Sequence, residues 1–173
     1  MPRIAQIQVS FAPTEDRLLL RLNTDDHSEL RFWLTRRYIK LLTPILTKMV
    51  ETTGRAAMIP ETQARETVAD FEREEALASA DFKTQFNEAA EHLPLGEAPI
   101  MLARIQTKKG PDSVPILCMH PQEGQGIELN MDSKLLHSFR QLLFDGIKSA
   151  DWDLAPKILQ PSDLDASGSR LLN

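Results

Sequence analysis

The sequence has little cysteine and no excess of positive charge. A single cysteine, Cys118, among 173 residues excludes an internal disulfide and any metal site that needs several thiolates. Lys and Arg number 20 against 25 Asp and Glu, and the formal charge of −5 argues against a protein that binds polyanions over its whole surface. Only a local basic surface is compatible with that balance.

Long apolar runs and nucleotide-binding motifs are also missing. The first residues alternate apolar and polar side chains, whereas a signal peptide needs a continuous apolar run, and no stretch approaches the roughly 20 apolar residues of a membrane span. No glycine-rich phosphate loop and no Gly-x-Ser-x-Gly motif occurs. We therefore expect a cytoplasmic protein that has no membrane partner and is not an enzyme.

The histidines do not form a recognisable metal-binding pattern. His27, His92, His120 and His137 lie far apart in the chain, and none lies beside a carboxylate at a metal-ligand spacing. Cys118 and His120 are two residues apart and would share one face of a strand, but Cys118 is interpreted as a small buried apolar residue. The sequence therefore predicts no catalytic residue, no metal ion and no cofactor.

Alternation of apolar and polar residues predicts five strands. The first two form a hairpin around the turn at residues 13–16, and the other three follow one another in the second half of the chain. The predicted strands are residues 5–11, 18–22, 100–107, 114–120 and 127–131.

Three helices are predicted between and after these strands. The first begins at an Asp26 cap and ends at Thr52, with Pro44 expected to kink it but not to end it. The second runs from Pro60 to about Phe86, and the third is capped by Asp132 or Ser133.

Together these elements predict an α+β fold with the order ββ-αα-βββ-α. In it, a five-stranded, mainly antiparallel sheet carries a long helical hairpin and a C-terminal helix on one face. Residues 1–154 are predicted to form a single domain, and residues 155–173 a mobile tail, because the tail is polar and rich in Ser.

The richest stretch of the chain is ELRFWLTRRYIKLL, residues 29–42. On a helical wheel most of its apolar side chains fall on one broad side, which is expected to face the core. Trp33 falls on the opposite side with three cations, Arg36, Arg37 and Lys40. This set of four is the predicted partner-binding site.

Three interpretations of these four residues remain open. The acidic second helix can pair with the cations locally, the four residues can form a protein interface, or they can hold nucleic acid through phosphate contacts and stacking on Trp33. We expect a non-catalytic adaptor or assembly protein that binds another protein or a second copy of itself. A nucleic-acid-binding accessory protein is the alternative.

Overall fold

The computed structural model describes residues 3–154, and it confirms the α+β class but not the single five-stranded sheet. Within these residues the chain forms seven strands in two sheets, and three α-helices. The strands are β1 Ile4–Ala12, β2 Arg17–Thr24, β3 Glu29–Leu34, β4 Ile100–Met101, β5 Arg104–Lys109, β6 Pro115–His120 and β7 Ile127–Asn130. The helices are α1 Arg36–Thr52, α2 Thr62–Ser79 and α3 Ser133–Ala150.

The first sheet has the order β1-β2-β3-β4. Its first three strands are antiparallel neighbours, and the short β4 pairs in parallel with β3. The inward side chains of β2 and β3 are leucines and a phenylalanine with no solvent exposure, including Leu20 and Phe32. This sheet therefore places its apolar face on the core, and its polar face is turned away.

The second sheet is the antiparallel set β5-β6-β7. The chain passes from one sheet to the other at Leu102 and Ala103. The amide of Leu102 donates to the carbonyl of Trp33, and the amide of Ala103 donates to that of His120. The predicted strand at 100–107 is therefore two strands, which belong to different sheets.

Residues predicted to begin the first helix form a strand instead. Leu30, Phe32 and Leu34 alternate with polar or half-buried neighbours, and β3 pairs with β2 along its whole length. The side chain of Asp26, predicted as the helix cap, accepts from the Thr24 hydroxyl at 2.5 Å and from the Ser28 amide at 3.3 Å. It therefore stabilises the turn between β2 and β3.

Helix α1 begins after Thr35, whose side chain accepts from the amide of Tyr38 at 3.1 Å. It continues through Pro44 to Thr52, so the predicted passage through proline and the predicted end are both confirmed. The predicted cap Asp132 is also confirmed, since its carboxylate accepts from the amide of Leu135 at 2.7 Å.

Helix α2 is shorter than predicted and packs mainly against α3, so the predicted helical hairpin is wrong. It ends at Ser79, because Asp81 accepts from the amides of Lys83 and Thr84 and so favours a turn over a further helical turn. Residues 80–99 then run without regular structure over the polar face of the first sheet. Gln85 and Asn87 contact Gln6 of β1 there.

One apolar cluster takes side chains from both sheets and from α1 and α3. None of the described helices is long and apolar enough to cross a membrane. The predicted tail at residues 155–173 lies outside the described residues.

Candidate functional site

The structure does not bring the four predicted partner-binding residues together on one helix face. Trp33 lies on β3, where it pairs with Leu19 of β2 and with Met101 of β4. It is half-buried on the outer face of the first sheet, because its neighbours Phe32 and Leu34 point into the core. The helical placement of Trp33 beside the cations is therefore wrong.

The three predicted cations lie on α1, but they differ in their surroundings. Arg36 donates from Nη2 to the backbone carbonyl of Asp153 at 2.8 Å, which ties the start of α1 to the segment after α3. Arg37 and Lys40 are exposed. Within residues 3–154 neither forms an ion pair with a carboxylate. The partner-binding role of the four residues stays a prediction.

The exposed side of α1 carries further residues that were not part of the predicted binding site. Leu41 is 50% exposed although it was predicted to face the core. Pro44 and Lys48 are exposed as well, and at 100° per residue they fall on the same side as Arg37 and Lys40. We call these five residues the basic face of α1: Arg37, Lys40, Leu41, Pro44 and Lys48.

The acidic helix α2 does not neutralise this basic face. Glu72 is buried and accepts from the amides of Arg55 and Ala56 at 2.8 and 3.3 Å, so it holds the turn after α1. Glu75 pairs with Arg55 Nη2 at 2.6 Å. Within residues 3–154 no carboxylate of α2 forms an ion pair with a cation of the basic face, so the local-pairing interpretation is wrong for these residues.

A second charged cluster lies on the outer face of the first sheet. Glu29 has no side-chain exposure, and it accepts from Nε of Arg21 at 2.6 Å and from Nε of Arg31 at 2.8 Å. Burial acts to raise the pKa of Glu29, but hydrogen bonds from the two guanidinium groups outweigh it, and the pKa is lowered. Arg21 also pairs with Glu88 at 2.6 Å and stacks on the ring of Phe86 at 4.4 Å. This cluster fastens residues 86–88 to the sheet.

A third cluster, of mixed chemistry, lies on the outer face of the second sheet. Cys118, His120 and Glu128 each offer one ligand atom, and these atoms lie within 4.8 Å of one another. Lys108 donates to Glu128 at 2.6 Å, and this hydrogen bond is the main reason why the pKa of Glu128 is lowered. Burial raises the pKa of the Cys118 thiol. These are donors that can hold a metal ion.

Comparisons with known proteins gave no match. No family model, no curated protein and no solved structure matches this chain.

A groove of about 880 Å³ lies between β1, residues 80–88 and α3. Its walls combine apolar and amide side chains with charged ones, and no histidine or cysteine is among the described residues that line it. The charged residues are Asp81, Lys83, Glu88, Asp132 and Lys134.

Proposed function

We propose that this chain is a non-catalytic binding protein that uses the basic face of α1 to hold an acidic protein partner. The observation that carries the proposal is the exposure of Arg37, Lys40 and Lys48 around Leu41 without an ion pair to a carboxylate in the described part of the chain. An apolar centre with a charged rim is the usual composition of a protein interface.

The position of the cations supports a role outside the fold. Arg36 and Arg37 occupy the first turn of α1, and this turn contains no acidic residue. The amino end of a helix carries a partial positive charge, so cations there are electrostatically unfavourable. Arg36 is compensated by its bond to Asp153, but Arg37 has no such bond within residues 3–154. A residue that opposes the local electrostatics is a candidate for binding.

The chemistry of the basic face defines the partner. Three cations beside an exposed leucine fit carboxylates that flank an apolar side chain. This chain carries such a surface itself, because α2 exposes Glu66, Asp70 and Glu74 at steps of four beside Phe71, which is 59% exposed. A second copy is therefore one partner of the required chemistry.

Nucleic acid fits the basic face less well. Base stacking needs an aromatic ring beside the cations, and Trp33 lies on β3 and not among them. The net charge of −5 also opposes phosphate binding.

The test is affinity capture from a cell extract and sedimentation of the purified chain, with wild type and Arg37→Glu/Lys40→Glu. The matched control is Lys83→Glu/Lys109→Glu, which makes the same change of net charge at exposed sites outside α1. We expect the basic-face variant to lose the partner, and the control to keep it. Because Arg37 opposes the helix dipole, the basic-face variant should unfold at the same temperature as wild type or at a higher one.

Three outcomes would overturn the proposal. The first is recovery of the same partners by both variants, and the second is their loss by both. The third is partner binding that disappears on nuclease treatment and weakens steeply with salt, since this would identify nucleic acid as the ligand.

A further inference from the structure

We propose that Cys118, His120 and Glu128 form a binding site for a divalent metal ion of the zinc class. The site lies on the second sheet and is independent of the basic face of α1. Three observations support it: the strand register, the donor chemistry and the orientation of the imidazole.

The strand register places the three residues next to one another without a loop rearrangement. Cys118 of β6 lies directly opposite Glu128 of β7, and His120 follows Cys118 by two residues on the same face. Leu117 and Met119, on either side of Cys118, point to the core and have no exposure, and Cys118 itself is also fully buried. The backbone of the ligand set is therefore fixed by two packed strands and not by a mobile loop.

The donor set is one that zinc prefers. Zinc takes a thiolate, an imidazole and a carboxylate together, whereas Ca²⁺ and Mg²⁺ require oxygen ligands. Tetrahedral coordination puts ligand atoms roughly 3.3–3.8 Å apart, as its bond lengths of about 2.0–2.3 Å dictate. Nε2 of His120 and Oε1 of Glu128 are 4.0 Å apart, so a small rotation of either side chain brings these two atoms to the spacing of ligands. Three protein ligands leave a fourth position for water or a small ligand.

Gly126 orients the imidazole. A β-carbon at this position would lie 2.7 Å from Nδ1 of His120 and against the carbonyl of Met119, so only glycine fits there. The Gly126 backbone therefore covers the Nδ1 edge of the ring. The other ring nitrogen, Nε2, is the one that faces Glu128.

Two cations border the site and affect it differently. Arg104, opposite His120 on β5, donates to the carbonyl of Pro121 at 3.0 Å and is held there. Lys108 donates to the same carboxylate oxygen, Oε1 of Glu128, that lies nearest His120. Its ammonium therefore competes with a metal ion for Glu128, and its removal should strengthen binding.

The experiment titrates the chelator-treated full chain with Co²⁺ and then displaces Co²⁺ with Zn²⁺. A thiolate-to-cobalt charge-transfer band reports Cys118 alone, because the chain has no other cysteine. We expect one tetrahedral Co²⁺ per chain, displaced by Zn²⁺. The variants Cys118→Ser, His120→Gln and Glu128→Gln should each lose roughly 100-fold or more in affinity, since loss of a group that only hydrogen-bonds to a metal ligand already costs about 10–100-fold.

Matched variants separate the site from other metal-binding groups. His92→Gln, at an exposed histidine, should leave the affinity unchanged. Lys108→Met should raise it by roughly threefold or more, because a competing ion pair is removed. As a measurement that needs no variant, the thiolate-to-cobalt band of the wild-type chain should disappear when Zn²⁺ is added.

The proposal is overturned by a titration without a charge-transfer band, or by half a metal ion per chain, which would mean that two thiols from different copies share it. Equal affinity of wild type and His120→Gln would also overturn it. If Cys118→Ser fails to fold, the absence of the thiolate-to-cobalt band in the wild-type chain is the decisive negative result.

Discussion

Glu29 is a charged side chain with no solvent exposure, held between two arginines on the outer face of the first sheet. A buried, ionised carboxylate of this kind is compatible with a stable fold only while both of its cations stay in place, because an unpaired buried charge lowers the free energy of unfolding. Its neighbour Glu88 pairs with the same Arg21, but the side chain of Glu88 is 69% exposed. The two carboxylates therefore offer a direct comparison of a buried and an exposed ion pair.

Glu29→Gln should lower the free energy of unfolding by about 3 kcal/mol, since it leaves two guanidinium groups without their central anion. Glu88→Gln should change it little, because an exposed pair is screened by water. Urea denaturation of both variants at neutral pH checks this. Equal effects of the two substitutions would contradict the assignment of Glu29 as the centre of the cluster.

The sequence predicted neither the charged cluster nor the metal-binding site. Cys118 and His120 were expected on one strand face, but Glu128 joins them only through the register of β6 and β7, and no spacing along the chain encodes that register. One signal was available: a short turn at residues 121–126 between two alternating strands limits the register to a few choices. The prediction came closer for the basic face of α1, because Arg37 and Lys40 are three residues apart on one helix and therefore share a face.

At the scale of elements, β3 shows how a strand is mistaken for a helix. Glu29–Leu34 alternates apolar and polar residues, as a strand requires, but the apolar residues that follow in α1 extend a helical pattern backward through it. An aspartate before such a stretch stabilises a turn as readily as it caps a helix, so Asp26 did not distinguish a strand from a helix at Glu29–Leu34. The hairpin of β1 and β2 and the helix α3 were predicted well, because each has one unambiguous period.

Neighbouring substitutions in β3 test this element. Phe32→Ala should cost about 3–5 kcal/mol, because Phe32 is fully buried in the core. Trp33→Ala should cost roughly 1–2 kcal/mol, since the larger ring is only half-buried on the opposite face. Thermal or urea unfolding measures both. A greater loss for Trp33 than for Phe32 would place the indole in the core and contradict the strand register.

At the scale of the whole molecule, the packing of α2 against α3 makes stability depend on pH. His137 is buried at this contact, facing Arg140 on its own helix and Asp70, Glu72 and Arg73 on α2. Burial and, to a smaller extent, the charge of Arg140 lower the pKa of His137 to about 4. In the unfolded chain the imidazole has its ordinary pKa of about 6.5. Between these two values the unfolded chain therefore binds the proton and the folded chain does not.

We expect the free energy of unfolding to fall as the pH drops from about 6.5 toward 4, by up to about 1 kcal/mol per pH unit. The contribution of neutral His137 is complete above pH 6.5. Urea denaturation at pH 7, 6 and 5 measures the slope above the range in which most carboxylates take up protons. His137→Leu should remove the slope, whereas His92→Gln should keep it. A slope that persists in His137→Leu would assign it to another group.

The second edge of β3 is closed by residues that come about sixty positions later in the chain: His92 pairs with Ser28 and Glu29, and Ile100 and Met101 form β4. When β1 to α1 have emerged from the ribosome, β3 is therefore still the last strand of its sheet. Its outer edge exposes unpaired amides and carbonyls, and Trp33 is uncovered beside them. An open strand edge is a template for pairing with other chains. A nascent chain with this open edge is accordingly prone to aggregation after α1 has emerged, and the edge can close only once Met101 has left the exit tunnel.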